Sequence, residues 1–179
     1  MIRLDQYSKG DYQHGPITRR IIWMIISICF FETAIPWPSK LKVFLLRLFG
    51  TNIGRHVVIK PNVKIKYPWK LYVGDFCWIG EFAWIDNLDM VNISDNVCIS
   101  QGVYILTGNH DYKSPNFTLF TRPVIIECGC WVGAKSVLCP GTVMREGSVA
   151  TVGSIVTCEL ESTGVYQGNP AVKKKMLRK

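Results

Sequence analysis

A chain of 179 residues is long enough for one domain with a sizeable core, and 48% hydrophobic residues exclude a disordered chain. Lys and Arg total 21 against 13 Asp and Glu, a formal charge of +8; that balance favours a polyanionic partner, whether nucleic acid, an anionic membrane surface or a phosphorylated small molecule. The seven cysteines are odd in number and no secretory signal is clear, so disulfides are not expected and a reducing, cytoplasmic setting fits.

The first predicted element is the apolar run Ile21 to Phe31 (IIWMIISICFF), preceded by Arg19 and Arg20. It falls short of the ~20 residues a spanning helix needs. Glu32, Pro36 and Trp37 after it do not look like a signal-peptide cleavage site. Two roles are open: a helix packed on the protein or on a neighbouring subunit, or a helix lying at a membrane interface, which the arginines and Trp23 suit. After Pro36-Trp37-Pro38, the stretch Leu41 to Phe49 (LKVFLLRLF) carries apolar residues at helical spacing, Leu41, Phe44, Leu45 and Leu48. Gly50 can cap its end. Residues 1–52 are therefore read as an N-terminal helical segment, with 18–35 the candidate for peripheral contact with the inner face of a membrane.

From Ile53 an aliphatic residue returns every six positions: Ile53, Ile59, Ile65; Val73, Ile79, Ile85; Ile93, Ile99, Ile105; then, after an interruption, Ile126, Val132, Leu138, Met144, Ala150 and Val156. The fourth residue after each is mostly small or β-branched, as at Val57, Cys77, Ala83, Cys130, Ser136 and Thr142. IGRHVVIK, VGDFCWIG and ISDNVCIS align at twenty-residue spacing, three hexads plus two inserted residues. Six is a multiple of the strand period and not of the helical one. Each hexad reads as a short strand and a turn, three hexads close a triangular coil, and stacked coils bury their aliphatics on one another. An all-β sandwich predicts alternation with turns every 8–12 residues instead. The expected fold is a parallel β-helix over residues 53–160, followed by a basic tail, 161–179.

The interruption TGNHDYKSPNFTLFTRP, a loop over 107–123, leaves the coil with His110 at its root and Asp111 beside it. A solenoid tolerates an insertion only as an external loop, and such loops commonly carry function. Of the other histidines, His14 lies in a polar stretch and His56 at an outward hexad position. The twenty-residue register stacks Thr107 on Asn87, which puts Asn87 and Asp89 at the same corner as His110. They are either turn residues or groups that orient an acceptor or the imidazole. Cys128-Gly-Cys130 lacks the usual two-residue spacing and no second pair follows, so no metal is expected.

The hexads, the TGNHD loop and the closing YQGNPA together resemble the hexapeptide-repeat acyltransferases. LLRLFGTNIG, IKYPWKLYVGD, WIGEFAWI, ISQGVYILTGNHDY and PGTVM resemble most the colanic-acid-biosynthesis-type acetyltransferases of exopolysaccharide gene sets. The resemblance implies a left-handed parallel β-helix and a homotrimer with active sites between adjacent subunits. It implies an acetyl-CoA-dependent O-acetyltransferase acting on a sugar hydroxyl, with His110 as general base and the sugar nucleotide- or lipid-linked. Neutral imidazole can take a hydroxyl proton, and Asp111 or Asn87 would hold the ring or the acceptor. By motif position the CoA would run past Trp131, Ala134, Val152 and Thr157. Relatives often carry Lys where this chain has Cys158, which puts one phosphate contact in doubt. Lys173, Lys174 and Lys175 are the candidates to replace it, unless they form only a solvated tail.

Three alternatives stand beside this reading. His110 would serve an amino-sugar N-acetyltransferase equally well. A non-catalytic β-helix scaffold would not need a histidine-bearing insertion. Nucleic-acid binding is disfavoured, because the positive charges gather only at the tail and no recognised motif accompanies them.

Overall fold

The computed structural model describes residues 1–176; Leu177, Arg178 and Lys179, the end of the expected basic tail, lie outside the described residues. From Asn52 the chain winds as a three-sided parallel β-solenoid. The first face stacks Asn52–Ile53, Leu71–Val73, Val91–Ile93, Val124–Ile126, Val143–Met144 and Glu159–Leu160. The second stacks Val58–Ile59, Trp78–Ile79, Cys98–Ile99, Trp131–Val132, Val149–Ala150 and Gly164–Gln167. The third stacks Lys64–Ile65, Trp84–Asp86, Tyr104–Leu106, Val137–Leu138 and Ile155–Val156.

The register is the one the sequence predicts. Ile53 pairs with Val73 and Val73 with Ile93, twenty residues apart. The loop lengthens the next step, Ile93 to Ile126, and the following coil, without the two-residue insertion, pairs Ile126 with Met144. Every hexad aliphatic from Ile53 to Val156 is buried, and so are the corner residues Val57, Cys77, Ala83, Cys130, Ser136, Thr142, Ser148 and Ser154. Small corner residues are needed because adjacent coils nearly touch. A Cβ added at Gly133 would lie 2.6 Å from the Val152 amide nitrogen of the next coil.

The first coil has no coil before it, so its outer backbone groups need other partners. Two helices supply them: α1, Ile17–Phe30, and α2, Ser39–Leu48. The Trp23 indole donates to the Ile65 carbonyl at 2.7 Å, and the Ser39 hydroxyl accepts from the Ile59 amide at 3.0 Å. The Lys42 ammonium donates to the Lys60 carbonyl at 2.8 Å and Arg47 to that of Ile53 at 2.8 Å. Trp23, Phe31 and Leu46 close the open end of the core. Burial depresses the Lys42 pKa, because a desolvated ammonium is costly. This helical cap extends the expectation for residues 1–52, in which only a packing or membrane role was foreseen.

The C-terminal end differs from expectation. The hexads fade after Val156, yet the solenoid continues: Met144 pairs with Leu160 and Val149 with Val165. Residues 161–176 are therefore not simply a tail. Gly164–Gln167 completes the second face and Val172–Met176 folds back on it antiparallel. A shortened coil, sixteen residues from Met144 to Leu160, broke the period that made the earlier coils readable.

Candidate active site

The loop leaves the prism at the corner between the third and first faces and forms a two-stranded antiparallel hairpin. Gly108–His110 pairs with Leu119–Thr121, His110 lying opposite Leu119. Between the strands, Phe117 takes a positive φ of 46° and turns its carbonyl toward His110. The imidazole Nδ1 lies 3.0 Å from that oxygen, and the Phe117 ring stacks on the imidazole at 4.3 Å with a 1° interplanar angle. A carbonyl oxygen can only accept, so Nδ1 is the donor in this contact, and in the neutral ring the lone pair then lies on Nε2. His110 is only half-buried, which leaves that nitrogen able to meet a substrate.

Asp111 does not orient the ring. It is exposed, and its carboxylate accepts from the Lys113 amide at 3.0 Å, capping the turn that follows; the contact to the ring nitrogen comes from the Phe117 carbonyl instead. Asn87 does not face an acceptor either. It is fully buried. Its Oδ1 accepts from the Tyr67 amide at 2.9 Å, and its Nδ2 donates to the Tyr67 and Lys70 carbonyls at 2.6 and 3.0 Å. It staples one coil's corner to the next. Asp89 does reach the loop: its Oδ2 accepts from the Thr121 hydroxyl at 3.0 Å, and its amide donates to the Thr107 hydroxyl at 2.8 Å. Asp89 thus fastens both ends of the insertion.

The residues matched to CoA binding do not form one cluster within the chain. Trp131 lies half-exposed on the second face, its indole donating to the Ser100 hydroxyl at 2.9 Å. With Trp78, Val58, Lys60, Glu81 and Gln101 it lines an open concavity of about 460 Å³. Ala134 and Val152 share the edge between the second and third faces, where Gly153 donates to the Ala134 carbonyl at 2.8 Å. Thr157 is exposed at the next edge, the one from which the His110 loop departs. Lys173 and Lys174 lie on the returning strand Val172–Met176. Lys173 is ion-paired to the exposed Glu161 at 2.6 Å, which raises its pKa.

Three groups near the loop root escaped the sequence reading. Phe117 had no signal, since a backbone carbonyl is invisible in a side-chain pattern. The Tyr7 ring lies 5.8 Å from that of His110, across a separation in sequence that no local pattern bridges. Asp86, just before the buried Asn87, accepts from the Tyr104 hydroxyl at 3.3 Å and pairs with Lys66 at 2.8 Å. Burial, and then the nearby Asp86 charge, push the Tyr104 phenol up to about 12, so it stays a donor. The outward positions of the third face, 66, 86 and 104, contained this cluster.

No family model matches the chain. The colanic acid biosynthesis acetyltransferase WcaF of Escherichia coli (strain K12) is 38% identical over 161 residues, covering 90% of this chain and 88% of that protein. Among solved structures, a hexapeptide-repeat acetyltransferase of Vibrio cholerae O1 biovar eltor, complexed with acetyl-coenzyme A, superposes with a TM-score of 0.83 over the whole of both chains at 20% identity. Galactoside acetyltransferase in complex with coenzyme A gives 0.82, over 94% of this chain and 86% of that one, at 22% identity. At those identities the two structures speak for the fold, while the first relative speaks for descent. With its three-sided hexad solenoid and the histidine-bearing loop at one corner, the chain belongs to the hexapeptide-repeat acetyltransferases, among those of the colanic acid biosynthesis type.

Proposed function

We propose that the chain transfers the acetyl group of acetyl-CoA to a hydroxyl of a sugar in exopolysaccharide or capsule assembly, with His110 as general base. The observation that carries this reading is the Nδ1 contact to the Phe117 carbonyl, which leaves Nε2 as the proton acceptor. The acceptor hydroxyl gives its proton to Nε2 while its oxygen attacks the thioester carbonyl. The tetrahedral intermediate then collapses, and the departing CoA sulfur takes the proton from the imidazolium. The Phe117 carbonyl accepts from Nδ1 throughout, and so favours the charged ring as it forms.

The donor and base residues are spread over different edges of one prism, which favours a homotrimer in which the loop of one subunit faces the wall of the next. On that arrangement Trp131, Ala134, Val152 and Thr157 flank the CoA, with Lys174 and Lys173 toward its phosphates. The exposed indole of Trp78 offers a flat apolar surface of the kind sugar rings stack on. Among the described residues no helix is long and apolar enough to cross a membrane. The outward aliphatic face of α1 supports peripheral contact with a membrane that carries a lipid-linked acceptor.

The test uses acetyl-CoA with a galactoside as trial acceptor, and with water as a slow one, following release of the CoA thiol. His110→Ala is expected to lose at least about a hundredfold in turnover, the low end of what a general base supplies, with thermal stability and assembly unchanged. Turnover near that of the unaltered protein would remove His110 from the mechanism.

A further inference from the structure

The N-terminal arm ahead of α1 buries almost nothing: nine of its first ten residues are exposed, and Ser8 is half-buried. Its long-range backbone hydrogen bonds go to the insertion that carries His110, not to the solenoid. Arg3 donates to the Pro115 carbonyl at 2.9 Å, Ser8 to that of Asn116 at 3.1 Å, and the Leu119 amide donates to the Ser8 carbonyl at 3.0 Å. At Gly10 (φ +55°) an added Cβ would meet the Leu119 carbonyl oxygen at 3.2 Å and the Thr118 methyl at 3.3 Å, so the arm approaches the hairpin closely where a glycine is present. The far end is fastened at Tyr12, whose ring lies beneath the Lys70 ammonium at 4.9 Å. Burial raises the Tyr12 phenol pKa well above its usual value, so that end stays neutral.

A two-stranded hairpin is marginal by itself in water. The hairpin holding His110 gains a third backbone segment from the arm and, through Tyr7, a second aromatic ring near the imidazole, 5.8 Å away and tilted by 57°. We propose that residues 3–12 are a strap that holds the catalytic hairpin in its working geometry, and that Tyr7 is a positioning residue acting through its ring on His110. This rests on the reading of His110 as the base. The strap adds no core to the solenoid, so its contribution falls on the site and not on the fold.

Three variants test this with acetyl-CoA, scored with water and with the galactoside as acceptor. Tyr7→Ala is expected to lower kcat by about tenfold or more, since small misplacements of a catalytic group are costly, while KM for acetyl-CoA moves less than about twofold. Tyr7→Phe recovers most of the loss, because the ring and not the hydroxyl acts. A chain lacking residues 2–12 shows the same kcat defect, with the melting of the solenoid within a few degrees of normal. Its Leu119 amide, deprived of the Ser8 carbonyl, exchanges hydrogen faster while Val73 and Ile99 amides do not change. Full turnover in both Tyr7→Ala and the truncated chain overturns the strap. A Tyr7→Phe defect as deep as that of Tyr7→Ala overturns the positioning role of the ring. If His110→Ala retains turnover, the base assignment fails separately, and unchanged exchange at Leu119 on truncation would still refute the strap.

Discussion

At Asn87 the amide side chain uses its hydrogen bonds inside a single corner, accepting from one backbone amide and donating to two carbonyls of the coil below. Asn87→Ala would strand the buried Tyr67 amide. An orphaned buried donor costs about 1–3 kcal/mol, which for a chain of this size is several degrees of melting temperature. Thermal unfolding of Asn87→Ala should show that drop, and activity per folded molecule should fall far less than in His110→Ala. An unchanged melting temperature would mean the staple is dispensable. The sequence located this corner correctly through the twenty-residue register. It also held the signal that Asn87 faces inward, since alternation from the buried Ile85 puts residue 87 inside and Asp86 outside. His110 stood out as a candidate because a histidine lies where the repeat breaks, and the structure places it on the hairpin that leaves the prism there. The atom that fixes its tautomer did not stand out, because a main-chain oxygen has no letter of its own.

Strands of two or three residues cannot stand alone, so the corners that join them carry much of the element-level order. On the corner between the first and second faces, aspartates recur at twenty residues. The Asp75 carboxylate accepts from the Arg55 amide at 2.7 Å, and the Asp95 carboxylate accepts from the Asp75 amide at 2.7 Å. The Arg55 amide, and then its guanidinium, hold the Asp75 pKa below the usual 3.8. A carboxyl depressed in the folded state contributes stability that is full above its unfolded pKa and is lost as pH falls through the folded one. Asp75→Asn should therefore melt lower than the parent at neutral pH, and the gap should close as pH falls below 3.8 through the depressed value. Melting curves across that range decide it, and a gap that stays constant with pH would show that ionisation is irrelevant there. The aspartates were visible in VGD and ISD, but their reach to the coil below depends on Gly54 and Gly74 bringing the coils together. The sequence pattern indicated close stacking without saying which side chains would cross it.

For the molecule as a whole, hexad periodicity predicted the prism from Ile53 to Val156, because burial of one aliphatic per strand repeats without regard to distant partners. It could not predict how the ends are closed, since a cap is built once and leaves no period; the helices over the first coil and the hairpin over the last had to be seen. The first cap has an inverted surface. α1 turns Trp23 and Ser27 inward and leaves Ile21, Ile22, Met24, Ile25 and Ile28 exposed. A contiguous apolar face of that kind marks a contact, and the two candidates are a membrane and a neighbouring subunit. The basic character of the chain, +8 overall, favours an anionic bilayer, although Arg19 at the start of the helix turns back onto the Phe49 carbonyl and the Trp69 ring. Glutamate at both Ile21 and Ile25 separates the two, because neither residue belongs to the buried core and a charge there need not disturb folding. On a bilayer-facing helix, the paired substitution abolishes co-flotation with phosphatidylglycerol-containing vesicles and leaves the assembly mass intact; binding of the parent then weakens as salt rises, as screened attraction must. On a subunit-facing helix, the same pair breaks the assembly in solution with no lipid present, and a parent that fails to float with the vesicles would refute the membrane contact directly.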